Sequence, residues 1–132
     1  MRLINIVIAC SIALLTHAAC NKNHVDSVDG PRKVQYELYT DRNFAADTSI
    51  VTFTAFIRTT NNVILWDSVL EPLQLKDIPG PGNKIMFERN IPWYPSPLKV
   101  GFDYTIEKVG HAHYNDSFGV RDKFKVISFN FR

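Results

Sequence analysis

Beyond Arg32, apolar residues fall at every second position over most of the chain, a period that strands satisfy and helices do not. Val34, Tyr36 and Leu38 alternate with Gln35, Glu37 and Tyr39. Val51, Phe53, Ala55 and Ile57 alternate with Thr52, Thr54, Phe56 and Arg58. Val100, Phe102, Tyr104 and Ile106 face one way in a strand predicted over Leu98 to Val109, with Lys99, Asp103, Thr105 and Glu107 on the other side. Successive side chains of a strand point to opposite faces, so each segment can bury one face and leave the other in water. The apolar set is rich in β-branched and aromatic residues, which suit a half-buried pleated surface.

Breakers divide the strands. Thr59-Thr60-Asn61-Asn62 reads as a turn, because asparagine tolerates left-handed backbone. The next strand, Val63 to Leu70, is expected to turn Ile64, Trp66 and Leu70 inward and Asp67 outward. Pro72 assigns Leu73-Gln74-Leu75 to a sheet edge, since proline donates nothing to a ladder. Ile78-Pro79-Gly80-Pro81-Gly82-Asn83 is a surface loop, Lys84 to Arg89 a strand, and Ile91 to Pro97 a stiff connection with three prolines. Gly110 to Gly119 reads as a polar loop. The last strand, Asp122 to Arg132, starts with Phe124 and Val126 inward and continues with Ile127, Phe129 and Phe131 in the opposite phase. That switch predicts a β-bulge near Val126-Ile127, or else a strand buried on both faces.

The N-terminus carries a different pattern. Met1-Arg2 is a short positive start, Leu3 to Leu15 an apolar run, and Thr16-His17-Ala18-Ala19-Cys20 a small-residue stretch before the chain turns polar at Asn21-Lys22-Asn23. These are the parts of a secretory signal peptide. The run is shorter than the about 20 residues a spanning helix needs. Ala18-Ala19-Cys20 resembles the lipobox of bacterial lipoproteins, in the looser form found in Bacteroidota; His17 departs from the usual aliphatic residue. The resemblance covers the first twenty residues. It implies cleavage before Cys20, attachment of lipid to the Cys20 thiol, and a place in the cell envelope, at the outer membrane. Cysteine usage agrees: of Cys10 and Cys20, the first leaves with the signal peptide, and an odd cysteine in an exported protein needs a reason. The organisation expected is a signal peptide over residues 1–19, a flexible polar tether over 20–31, and one domain over 32–132.

About seven short strands with turns at regular spacing, and no helical apolar stripe after the signal peptide, predict an all-β fold: an antiparallel two-sheet sandwich. The pattern resembles immunoglobulin-like domains, with Trp66 in the place of their buried tryptophan but without their paired cysteines; a small barrel or a transthyretin-like sandwich fits the same spacing.

Candidate chemistry is sparse. His111 and His113 would share a face of an extended segment and could reach one metal ion, with Asn115, Asp116 and Asp122 as further oxygen donors. Asp103 and Glu107 on one strand face stand ~13 Å apart, beyond the ~5.5 to ~9.5 Å of paired glycosidase carboxylates. No serine sits in G-x-S-x-G and no phosphate-binding G-x-x-x-x-G-K-[ST] loop occurs. Trp93 and Tyr94, in the proline-rich connection, could stack on a sugar ring or a partner's side chain. Lys and Arg are scattered among Asp and Glu at a formal net charge of +2, which gives no basic patch for nucleic acid. The expectation is therefore a non-enzymatic, cofactor-free module, held to a membrane by lipid, that binds a protein partner or supports an envelope assembly. The alternatives are a glycan-binding lipoprotein using Trp93 and Tyr94, and a metal-binding domain at His111 and His113.

Overall fold

The computed structural model describes residues 31–132; the expected signal peptide, Cys20 and most of the expected tether lie outside it. Eight strands form, β1 (Arg32–Tyr39), β2 (Ile50–Thr59), β3 (Ile64–Val69), β4 (Leu73–Gln74), β5 (Ile85–Ile91), β6 (Leu98–Ile106), β7 (Gly110–Phe118) and β8 (Phe124–Asn130). A single 3-10 turn, Leu75–Asp77, follows β4, and no α-helix occurs among the described residues. The strands make two sheets. The smaller has the order β5-β1-β8; the larger runs β3-β2-β6-β7, with β4 also against β2. Consecutive strands β1 and β2 go to different sheets, and so do β5 and β6, yet β1 pairs with β5 and β2 with β6. This crossing locks the two layers as an all-β sandwich.

The period-two residues make the core as expected. Val34, Tyr36 and Leu38 of β1 face Val51, Phe53, Ala55 and Ile57 of β2 with Val100 and Phe102 of β6, all without exposed surface. Ile127, Phe129 and Phe131 close the same core from β8 and the residue beyond it. Aromatic rings dominate: Phe53 meets Phe102, Phe129 and Phe131 edge-on at 6.4, 6.3 and 5.7 Å between centroids. Such edge-to-face contacts add to the burial of apolar area. A polar bond crosses the core from sheet to sheet: the Tyr36 hydroxyl donates to the Phe56 carbonyl at 2.7 Å.

Four sequence expectations need correction. First, Gly110 to Gly119 is mostly strand β7, paired residue for residue with β6, which raises the count from seven strands to eight. Second, β8 holds an unbroken parallel register on β1, from Lys33 opposite Phe124 to Tyr39 opposite Asn130. No bulge occurs there, and Phe124 and Val126 are exposed on the outer face. The inward position between them is Lys125, whose ammonium bonds the Asp116 carboxylate at 2.7 Å and the Ser117 carbonyl of β7. The phase switch in the sequence is thus a change in what faces solvent, with a lysine closing the open edge. Third, the register shift lies between Ile57 and Arg58, against β3. Fourth, Ile64 is exposed and Trp66 only half-buried. Trp66 stands on a margin strand, 6.0 Å from the Tyr36 ring and beneath the Arg89 guanidinium at 5.1 Å, so it flanks the core where the immunoglobulin resemblance would bury it.

Candidate functional site

The outer face of the larger sheet carries a groove, beside a point where two of its strands approach closely. Phe56 of β2, Gly101 of β6 and Asn115 of β7 stand side by side in register. A methyl group on Gly101 would lie 2.0 Å from the Tyr114 carbonyl oxygen and 2.7 Å from the Asn115 Cα. Only glycine fits there, because the β7 backbone comes in over the position. Beside this close approach a trough of about 370 Å³ crosses the three strands.

Polar side chains line it. On the β2 side the Arg58 guanidinium lies over the Phe56 ring at 4.0 Å, which buries that ring although it points away from the core. Arg58 also pairs with the Asp103 carboxylate of β6, both half-buried. Its Nε is buried without a hydrogen-bond partner. Lys99 stands opposite Arg58 in register and donates to Asn62 Oδ1 at 2.9 Å. From β7, His111 and His113 project to the same face, opposite Thr105 and Asp103. The Thr105 hydroxyl and His111 Nδ1 are 3.4 Å apart. The trough therefore gathers two permanent cations and two imidazoles around one carboxylate, and Arg58 already occupies that carboxylate.

This arrangement sorts the residues singled out in the sequence. His111 and His113 share a strand face, as their spacing predicts, but the third ligand is absent. Among the described residues no group of three His, Cys, Asp or Glu side chains converges as a metal site would require. Asp103, the nearest acidic position in register, is held by Arg58. Asp116 bonds Lys125, and Asp122 accepts from the Gly119 amide at 2.6 Å. A tetrahedral metal needs a fuller donor set. Trp93 and Tyr94 are separated by burial: Trp93 is exposed, whereas Tyr94 packs against the core. They do not form one flat platform for a sugar. Cys20 lies outside the described residues.

Arg58, Lys99 and Asn62 carry no site signal in the sequence, because a loop over Gly110–Gly119 leaves the outer face of β6 without a neighbour. A signal for the neighbouring strand is present. Gly101 interrupts an otherwise regular strand pattern, and an isolated glycine there marks close backbone approach. His111, His113, Asn115 and Ser117 also alternate with Ala112, Tyr114 and Phe118, although Asp116 breaks the inward row.

Comparison of the chain with family models, with curated proteins and with solved structures gave no match. No helix among the described residues is long and apolar enough to cross a membrane. The fold is an all-β sandwich, and the groove lies on the outer face of its larger sheet.

Proposed function

We propose that this protein is an exported bacterial lipoprotein, anchored through Cys20 at the outer membrane, whose sandwich is a non-catalytic binding module. The outer face of the larger sheet holds a protein partner, with the groove at Gly101 receiving an acidic side chain of that partner. The observation that carries this reading is the charge pattern of the trough. Arg58 and Lys99 are cationic, and Asp103 is already compensated by Arg58. An arginine that is stacked and ion-paired is held in place and loses little freedom on binding. The anchoring half rests on Ala18-Ala19-Cys20 following an apolar run. Two lipid chains hold a small protein firmly, since each buried methylene contributes ~0.8 kcal/mol.

Two measurements in cells test the two halves. Cys20→Ser should move the protein from the membrane fraction to the soluble fraction; a variant that still sediments with membranes ends the lipoprotein reading. A photo-crosslinking side chain placed at Asn115, at the groove, should trap a discrete protein adduct that Lys99→Glu abolishes. The same probe at Met86, exposed on the smaller sheet, should trap none. Equal adducts from both faces would contradict use of the groove.

A further inference from the structure

The chain enters the sandwich at one end, and that end differs in chemistry from the other. Arg32 opens β1 opposite Ile91, the last residue of β5, and Lys33 lies opposite Phe124, the first residue of β8. The buried Arg32 guanidinium donates to the Gly119 carbonyl at 2.7 Å and the Asp122 carbonyl at 3.1 Å, and lies 4.7 Å over the Phe118 ring. Phe118 pairs with Leu98, and Leu98 with Thr59. The connections 60–63, 92–97 and 119–123 are therefore gathered around the point of chain entry.

These three connections expose apolar side chains and few acids. Trp93 is 66% exposed and Val63 60%; next to them Ile64 is 54% and Phe124 53% exposed. Asp122 is the one carboxylate in the three connections, and its oxygen is taken by the Gly119 amide. Arg121 and Lys123 flank it, both exposed. The connections at the opposite end mix Asp41, Asp47, Asp77 and Glu107 with Arg42, Lys76, Lys84 and Lys108, and expose Val109 but no tryptophan. An indole at a surface, with aliphatic neighbours and basic residues, is the composition that partitions to a bilayer interface. The chain length agrees. Residues 21–31 span at most about 40 Å even when fully extended, and β1 alone carries the far end about 26 Å beyond Arg32. The entry end can therefore meet the bilayer with the tether at any extension, whereas the far end reaches it only when about 26 Å of that tether is drawn out.

We propose that this entry end is a membrane-contact surface: Trp93 and Val63 seat in the interface of an anionic phospholipid bilayer, with Ile64 and Phe124 on its two flanks, and Arg121 and Lys123 meet its headgroups. The groove on the larger sheet then faces sideways, along the membrane plane, toward a partner in the same bilayer. The inference rests on the reading of Cys20 as the lipid anchor.

The test uses the full lipidated chain, purified from membranes and reconstituted into vesicles of phosphatidylglycerol and phosphatidylcholine brominated on the acyl chains. Flotation reports the anchor, and quenching of tryptophan emission in the floated fraction reports the contact. Wild type should float and lose emission against unbrominated vesicles. Trp93→Phe should float equally and lose most of that quenching, which assigns it to Trp93 and leaves Trp66 unquenched. Arg121→Glu with Lys123→Glu should float and show weaker quenching. Val109→Trp in the Trp93→Phe background, a tryptophan at the far end, should stay unquenched. Flotation without Trp93 quenching, or equal quenching at Trp93 and at position 109, overturns the contact surface and leaves the anchor intact. Failure to float overturns the anchor and the contact surface with it.

Discussion

At the scale of single residues, Tyr36 does two jobs. Its ring stacks on Phe87 at 5.0 Å and meets Phe102 edge-on at 5.4 Å, while its hydroxyl reaches across the core to the Phe56 carbonyl. Burial pushes that hydroxyl well above the usual tyrosine range, because the phenolate would be stranded in the apolar layer. The sign of the pH effect follows. Below pH ~10 both folded and unfolded Tyr36 keep the proton and the contribution is complete. As pH rises past that value the unfolded chain releases its proton while the folded one holds it, so stability falls. Tyr36→Phe should cost about 1–2 kcal/mol at neutral pH, from the lost hydrogen bond. It should also flatten the decline above pH ~10. Urea denaturation at neutral and alkaline pH would measure both; equal alkaline slopes in wild type and variant would refute the assignment. Glu37 moves the other way. Hydrogen bonding from Lys84 holds its carboxyl below the ordinary glutamate range, with burial opposing and Ser128 assisting, so its contribution is present above that range and is lost on acidification.

At the scale of elements, the β2–β3 hairpin depends on one left-handed residue. Asn62 has φ 64°, its amide donates to the Thr59 carbonyl at 2.9 Å, and the Thr59 amide donates to Val63 at 2.9 Å. An L-residue in this region pays for the approach of Cβ to the following carbonyl, and a β-branched one pays most. Asn62→Val should destabilise by about 1–2 kcal/mol, whereas Asn62→Gly should stay within about 0.5 kcal/mol of wild type. Midpoints of urea denaturation for the two variants decide it, and similar midpoints would show that the turn tolerates any backbone. The same hairpin supplies Asn62 to the groove, so its geometry also sets where Lys99 is held.

At the scale of the whole molecule, the first and last strands lie side by side. β8 runs parallel to β1, the Phe131 amide donates to the Tyr39 carbonyl at 2.8 Å, and the Thr40 hydroxyl donates to the Phe131 carbonyl at 2.7 Å. These bonds join residues about ninety positions apart in the chain, so a large loop must close before they form. The last residues are therefore structural. Phe131 is buried and touches Phe44, Phe53 and Tyr104 at 5.7, 5.7 and 5.5 Å. Phe131→Ala should cost about 3–5 kcal/mol, while Phe124→Ala, at an exposed position of the same sheet, should stay within about 0.5 kcal/mol. Calorimetric or urea unfolding of the pair tests this. A small loss at Phe131 would mean that the sandwich closes without its last strand.

The sequence alone determined the all-β class, the buried rows of β1, β2 and β6, and the turn at Asn62, because strand period and turn chemistry act between neighbours in the chain. Tertiary structure decided the rest. It made a strand of Gly110–Phe118, because pairing with β6 satisfies a backbone whose own pattern is weak. It exposed Phe124, Val126 and Ile64, since register turns them to the outer faces of the two sheets, where no second layer covers them. It parted Trp93 from Tyr94 by turning only one of them into the core. It also built the groove, whose residues come from three strands and a turn and meet only through register. That register depends on how strands pair across the sheet, which no local run of residues encodes.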